Sequence, residues 1–384
     1  MKVVSIEPTP SPNSMKLNMD EKLPDGVRKA YTLDSEDAPP AFKQLLSIPG
    51  VTGLYHAADF IAIDRHPRGD WQQILSQARE ILGESEALAR QSSSAAAEGN
   101  QGSQAAAFGE VQVKIQVFRG IPMQIRVSND TEEQRAALPE RFTRAATTAG
   151  LASPNLITER KLIEQGVRYG DLKEVLEEVK KELEAAYPQS RLDSMVEQAM
   201  NDWDEEAAQS ESSVAVDELA EALNAEDWRV RYAALEQLKP SLEALPLLGK
   251  ALKDPQVSIR RLAVVYMGDI NEPDVLPYLF QALKDSSASV RRTAGDTLSD
   301  IGDPAAIGAM AEALSDRNKL VRWRAARFLF ETGNETALPA LKKAQDDPEF
   351  EVRMQIKLAI ERIEGGEEAL GSVWQQMTNR NRGQ

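Results

Sequence analysis

The chain has 384 residues, and its 61 Asp and Glu against 45 Lys and Arg leave a net charge of −16, which opposes non-specific adhesion to nucleic acid or anionic membrane. There is no cysteine, so disulfides, thiol catalysis and Cys-ligated zinc or iron–sulfur clusters are excluded from its own side chains, and there are only two histidines, His56 and His66. The length fits two or three domains. The first residues lack an apolar signal core and no run approaches the roughly 18 apolar residues of a membrane span, so the expected compartment is the cytoplasm.

Residues 1–88 read as a small α/β domain. Val3 to Ile6 is a strand, Thr9 to Ser14 a Pro/Asn turn, and Met15 to Met19 the returning strand, alternating apolar and polar. Pro40 to Ile48 is a short helix stopped by Pro49-Gly50. Val51 to Tyr55 and Phe60 to Ile63 form a hairpin across Ala57-Ala58-Asp59, and Trp71 to Leu82 is an amphipathic closing helix. His56 and His66 match no metal-ligand spacing and read as turn or surface residues. The segments Thr9-Pro10-Ser11-Pro12-Asn13-Ser14-Met15-Lys16, Ile48-Pro49-Gly50-Val51, Asp59-Phe60-Ile61-Ala62-Ile63 and Trp71 together resemble the N-terminal domain of the Nfu/NifU-like scaffold family. That family's cluster-carrying domain, with its paired cysteines, is missing. The resemblance therefore implies a fold and a partner surface, not iron–sulfur delivery.

Residues 89–107 are rich in Ser, Ala, Gly and Gln and read as a flexible linker. Residues 108–205 form a middle α+β domain. Val111, Val113, Ile115 and Val117 alternate with polar residues, Arg119-Gly120 turns, and Ile121 to Val127 returns as a hairpin. Thr131-Glu132-Glu133 opens a helix expected to run through Arg141 to Thr148 with a bend near Pro139. Asp171 to Tyr187 is a helix with Leu172, Val175, Leu176, Val179 and Leu183 on one face. The arginines and Lys161 of this region read as solvated charge rather than an anion pocket.

Residues 206–366 repeat themselves. Asp254, Asp285, Asp316 and Asp347 are spaced by 31 residues, and Ile259-Arg260, Val290-Arg291, Val321-Arg322 and Val352-Arg353 keep that step. Val230-Arg231 precedes them by 29, which adds a fifth copy. Within a unit, Ala306, Ile307, Met310, Ala313 and Leu314 make one apolar stripe. Ser315 to Asn318 breaks it, and Val321, Ala325, Phe328 and Leu329 make a second. Each unit is a helical hairpin that covers its apolar surface only by stacking on the next. The pattern resembles HEAT repeats of the short variety related to phycobilin lyases. The polar tail 367–384 is expected to fray.

The expected fold class is mixed: a small Nfu-N-like α/β domain, an α+β middle domain and an α-solenoid of about five HEAT repeats. That order of modules resembles the conserved virulence factor C family of Gram-positive bacteria, and HEAT arrays of that kind imply a binding scaffold. The expected function is accordingly a non-catalytic protein-interaction scaffold, linked to virulence regulation or to iron–sulfur-related partners. No catalytic, cofactor or metal residue is assigned, and no cofactor is expected. The partner is a protein of unstated identity, and neither a membrane nor a nucleic acid is expected. The first Arg of each pair reads as a ladder partner of the repeat's acids. Arg261, Arg292 and Arg324 are the candidate partner contacts, a row that could take carboxylates of an acidic segment or could hold acids of its own chain. The alternative is a lyase or tetrapyrrole-binding protein, with Trp228, Tyr232, Tyr266, Trp323 and Phe328 lining a groove or, more ordinarily, packing the core. A di-metal hydroxylase is opposed by an array without histidine.

Overall fold

The computed structural model describes residues 2–9, 11, 13–24, 28–35, 37–66, 69–83, 110–129, 132–153, 155–201, 216–270 and 272–366. The 89–107 linker and the 367–384 tail lie outside the described residues. The rest divides into two compact units, one chiefly of residues 1–110, the other of 111–128, 133–347 and 352 onward.

The first unit is built from β1 (Val3–Pro8), β2 (Ser14–Met19), β3 (Arg28–Tyr31), α1 (Pro40–Leu46), β4 (Val51–Ala57), β5 (Phe60–Arg65) and α2 (Trp71–Leu82). Its antiparallel sheet has the order β1-β2-β5-β4-β3. Alternation in β2 buries Met15, Leu17 and Met19, which share the core with Leu54, Ile61, Phe42 and Trp71. β3 has no apolar alternation to betray it; pairing with β4 makes it a strand. Gly50 is required where it stands. Its φ is +95°, and a Cβ there would come within 2.9 Å of the Gly69 Cα.

The second unit opens with β6 (Glu110–Phe118), β7 (Ile121–Ser128), β8 (Glu133–Ala137), α3 (Glu140–Gly150), β9 (Arg160–Tyr169), α4 (Leu172–Ala186) and α5 (Gln189–Met200). The sheet order is β8-β7-β6-β9. Arg119 and Gly120 both have positive φ, the backbone twist a two-residue hairpin turn demands. Residues Val113, Ile115, Phe118, Ile125, Phe142 and Leu192 are among its buried core. The helix expected from Thr131 is corrected here. Glu133–Ala137 pairs with β7, from Ser128↔Glu133 to Gln124↔Ala137, and the helix starts only at Glu140 behind Pro139. The bend near Pro139 is a change of element, because Pro cannot supply a helix-interior N–H.

The array follows as five hairpins: α6 (Val216–Ala222) with α7 (Trp228–Glu236), α8 (Leu245–Ala251) with α9 (Val257–Ile270), α10 (Leu276–Ala282) with α11 (Ala288–Ile301), α12 (Ile307–Ala313) with α13 (Lys319–Thr332), and α14 (Leu338–Ala344) with α15 (Phe350–Glu364). Helices α7, α9, α11 and α13 pack directly on one another as a second-helix layer. Ala263, Ala294 and Ala325 are fully buried in it, and their small side chains let the helices approach.

Candidate partner-binding surface

The second-helix layer carries two sets of arginines. In the first, Arg260 Nε and Nη2 donate to Asp285 at 2.7 and 3.0 Å, and Arg291 donates to Asp316 at 2.6 and 2.9 Å. Arg231 holds Asp254 and Arg322 holds Asp347 in the same bidentate way. Each Asp belongs to the following repeat. Asp285 also accepts the Ser287 N–H at 2.7 Å, so it braces the turn into its own second helix while holding the arginine before it. Burial works to raise the Asp285 carboxyl; Arg260 and the Ser287 N–H outweigh it and hold it below its usual value. These arginines link neighbouring repeats.

The second set is Arg261, Arg292 and Arg324. All three are engaged or covered within the chain. Arg261 is 9 % exposed, and its Nη2 donates to both oxygens of Glu182 at 3.2 and 3.3 Å. Glu182 lies on α4 of the middle region, which packs against α7. Arg168, at the end of β9, donates to the same carboxylate at 2.7 Å. Burial works to raise the Glu182 pKa, but Arg261 and Arg168 overcome it and leave it below the usual carboxylate range. Arg324 stands 32 residues after Arg292 rather than 31, so on an α-helix it is turned about 100° from the row. Trp323 occupies the in-register position. Arg324 Nε lies 2.6 Å from Asp296 Oδ1, an ion pair too bent for a hydrogen bond, and the guanidinium stacks near Trp323. Arg292 lies over the Tyr169 ring, its guanidinium carbon 4.1 Å from the centroid.

Glu182, Arg168 and Tyr169 are the residues that sequence reasoning missed. Glu182 had a signal. It falls three residues after Val179 and seven after Val175, inside the apolar stripe of its helix. A carboxylate in that phase calls for a buried cation. β9 had no such signal. Arg160 to Val167 are all exposed, with Leu162 and Ile163 adjacent, so no alternation marks a strand. A further bond joins the middle region to the array: Arg191 donates to Glu236 of α7 and stacks on Tyr187 at 4.2 Å.

Of the aromatics considered for a groove, Tyr232, Trp323 and Phe328 are buried, and the Tyr266 hydroxyl donates to the Glu236 carbonyl at 2.7 Å. Trp228 borders a cleft of about 640 Å³ with Lys250 and Lys253. A larger cleft, about 1040 Å³, runs along the ladder between Asp285, Asp316 and Lys343. Among the described residues no three His, Asp or Glu side chains converge as metal ligands. His56 packs edge-on to Phe42 at 5.2 Å, and burial with the nearby Lys29 charge lowers its pKa. No helix among the described residues is long and apolar enough to cross a membrane.

A solenoid of helical hairpins joined by buried arginine–carboxylate pairs to an α+β module, in a chain that also holds a small α/β unit, defines the class of this protein: a modular repeat protein of HEAT type. Family models agree module by module. Residues 4–87 match the N-terminal domain of scaffold protein Nfu/NifU, 116–196 match "Virulence factor", and HEAT repeats match in overlapping stretches from 216 to 380. The uncharacterized protein YpgR of Bacillus subtilis is 56% identical over 98% of both chains. Conserved virulence factor C of Staphylococcus aureus strain MRSA252 is 47% identical over 99% of this chain and 100% of its own. The chain belongs to the conserved virulence factor C family. Among solved structures, protein SAV1430 of Staphylococcus aureus is 28% identical over 21% of this chain and 98% of its own, with a TM-score of 0.20.

Proposed function

We propose that this chain is a non-catalytic scaffold for protein–protein interaction whose docking surface is the second-helix layer of the array. The carrying observation is that this layer already holds a helix from another module. The Arg261–Glu182 pair and the buried stripe of α4 secure that helix, which is how a HEAT surface would grip a partner segment. The name of the Staphylococcus aureus relatives supports a role in regulating virulence-type traits. The Nfu/NifU-like module supports iron–sulfur-related proteins as the class of partner.

The test is site-specific photo-cross-linking in Bacillus subtilis cells whose own 56%-identical relative has been deleted. A photoreactive residue replaces exposed Val230 on α7, exposed Leu162 on β9, or exposed Leu242 as the control. A discrete adduct to one protein at Val230, absent at Leu242, is the expected result, and an adduct at Leu162 alone would move the docking surface to the middle region. Identical smears at all three positions would sink the reading. A tetrapyrrole or metal retained in stoichiometric amount by the purified chain would favour the lyase instead.

A further inference from the structure

Arg292 differs from every other arginine of the layer. It is 9 % exposed, yet among the described residues no carboxylate lies within ion-pair range and no acceptor takes a hydrogen bond from its guanidinium. Its Nε is sealed from solvent without a partner. A buried cation without a counter-charge is costly to a fold, and side chains in that state shift, pair or serve a ligand. Burial lowers the Arg292 pKa; Asp296, held by Arg324, offsets this only in part, and Arg261 and Arg168 add repulsion.

The surroundings define what fits. Arg168 and Arg261 share Glu182, Arg168 also meets Glu178, and Arg324 meets Asp296, which leaves Arg292 as the one of these four guanidiniums with no carboxylate within ion-pair range among the described residues. The Arg292 guanidinium carbon lies 4.1 Å from the centroid of the Tyr169 ring, a cation–π contact. A guanidinium presents parallel N–H donors along its edge, the geometry a carboxylate accepts. Two neighbouring arginines meet carboxylates of the chain itself: Arg261 meets Glu182, and Arg324 meets Asp296.

We propose that Arg292 anchors a carboxylate-binding site in the second-helix layer, backed by Tyr169, that takes one carboxylate from outside the described chain. The source is either an acidic side chain of a protein segment or a small carboxylic acid, and the experiment separates them. The full chain is titrated at constant ionic strength with a hexaglutamate peptide, with succinate and with inorganic phosphate, followed by calorimetry and by the melting temperature. The peptide or succinate should bind and raise the melting temperature. Arg292→Met should weaken that binding at least tenfold and melt no lower than the parent, because it removes a buried charge with no partner. Arg292→Lys, which keeps the charge without the fork, should bind between the two. Arg317→Met, at an exposed position of the array, should bind like the parent. The peptide binding alone names a protein partner, and succinate binding alone names a small acid. Undiminished binding by Arg292→Met, an Arg292→Met that no longer folds, phosphate binding alone, or no binding in any arm would each overturn the site.

Discussion

Glu182 shows how one side chain joins two modules. It is 5 % exposed and accepts from Arg168 and Arg261 together. Replacing it with Gln leaves two buried guanidiniums short of a charge, and breaking buried pairs in this way typically costs about 3–5 kcal/mol. Urea unfolding of Glu182→Gln at pH 7 should show that loss. The pH dependence follows from sign. The folded pKa of Glu182 lies below the usual 4.5, so its contribution is present in full above that value and is lost as pH falls through the lower folded one. The parent should therefore lose stability below about pH 4.5, and the Glu182→Gln difference should shrink over the same interval. A difference independent of pH would mean that the carboxylate charge is not what holds the pair.

At the scale of the element, the unit is the rung between repeats. The side chains of Arg260 and Asp285 are 10 and 11 % exposed, and Asp285 also accepts the Ser287 N–H in the turn into α11. Asp285→Asn should cost about 3–5 kcal/mol, since it strips the counter-charge from a covered arginine. Lys284 and Glu312 form a pair between the next two repeats, but at 69 and 68 % exposure. Glu312→Gln should change stability by less than about 1 kcal/mol, because water and side-chain entropy cancel most of an exposed pair. Chemical denaturation of the two variants side by side decides the matter. Equal losses would show that burial of the rung is not what gives it strength.

At the scale of the molecule, the middle module and the array pack as one compact unit and should unfold together. α4 packs its apolar face on β7 and α7 at once, and Arg191 reaches from α5 to Glu236. Each large apolar side chain buried in such a face contributes about 1.5–3 kcal/mol, so neither side keeps its stability when the other is removed. Hydrogen exchange under mild denaturant should release α4 and α7 together, at the same opening free energy. Release of α4 well before α7 would show that the α+β module is a separate folding unit merely resting on the array.

The sequence by itself determined the repeat, its 31-residue register, the ladder arginines and the apolar stripe of α4, because these follow from periodicity along one chain. It also placed the modules in order, since each carries its own local pattern. The tertiary structure alone decided what happens across elements. β3 and β8 are strands because a neighbour's edge pairs with them, which overrides helix-favouring or polar local sequence. Arg261, Arg292 and Arg324 looked alike in the sequence and are three different things in the fold: one paired to another module, one left without a carboxylate, and one turned out of the row by a single residue. Nothing in the residues near Arg261 points to Glu182, 79 positions earlier. A partner that distant is set by packing, and packing is a property of the folded chain.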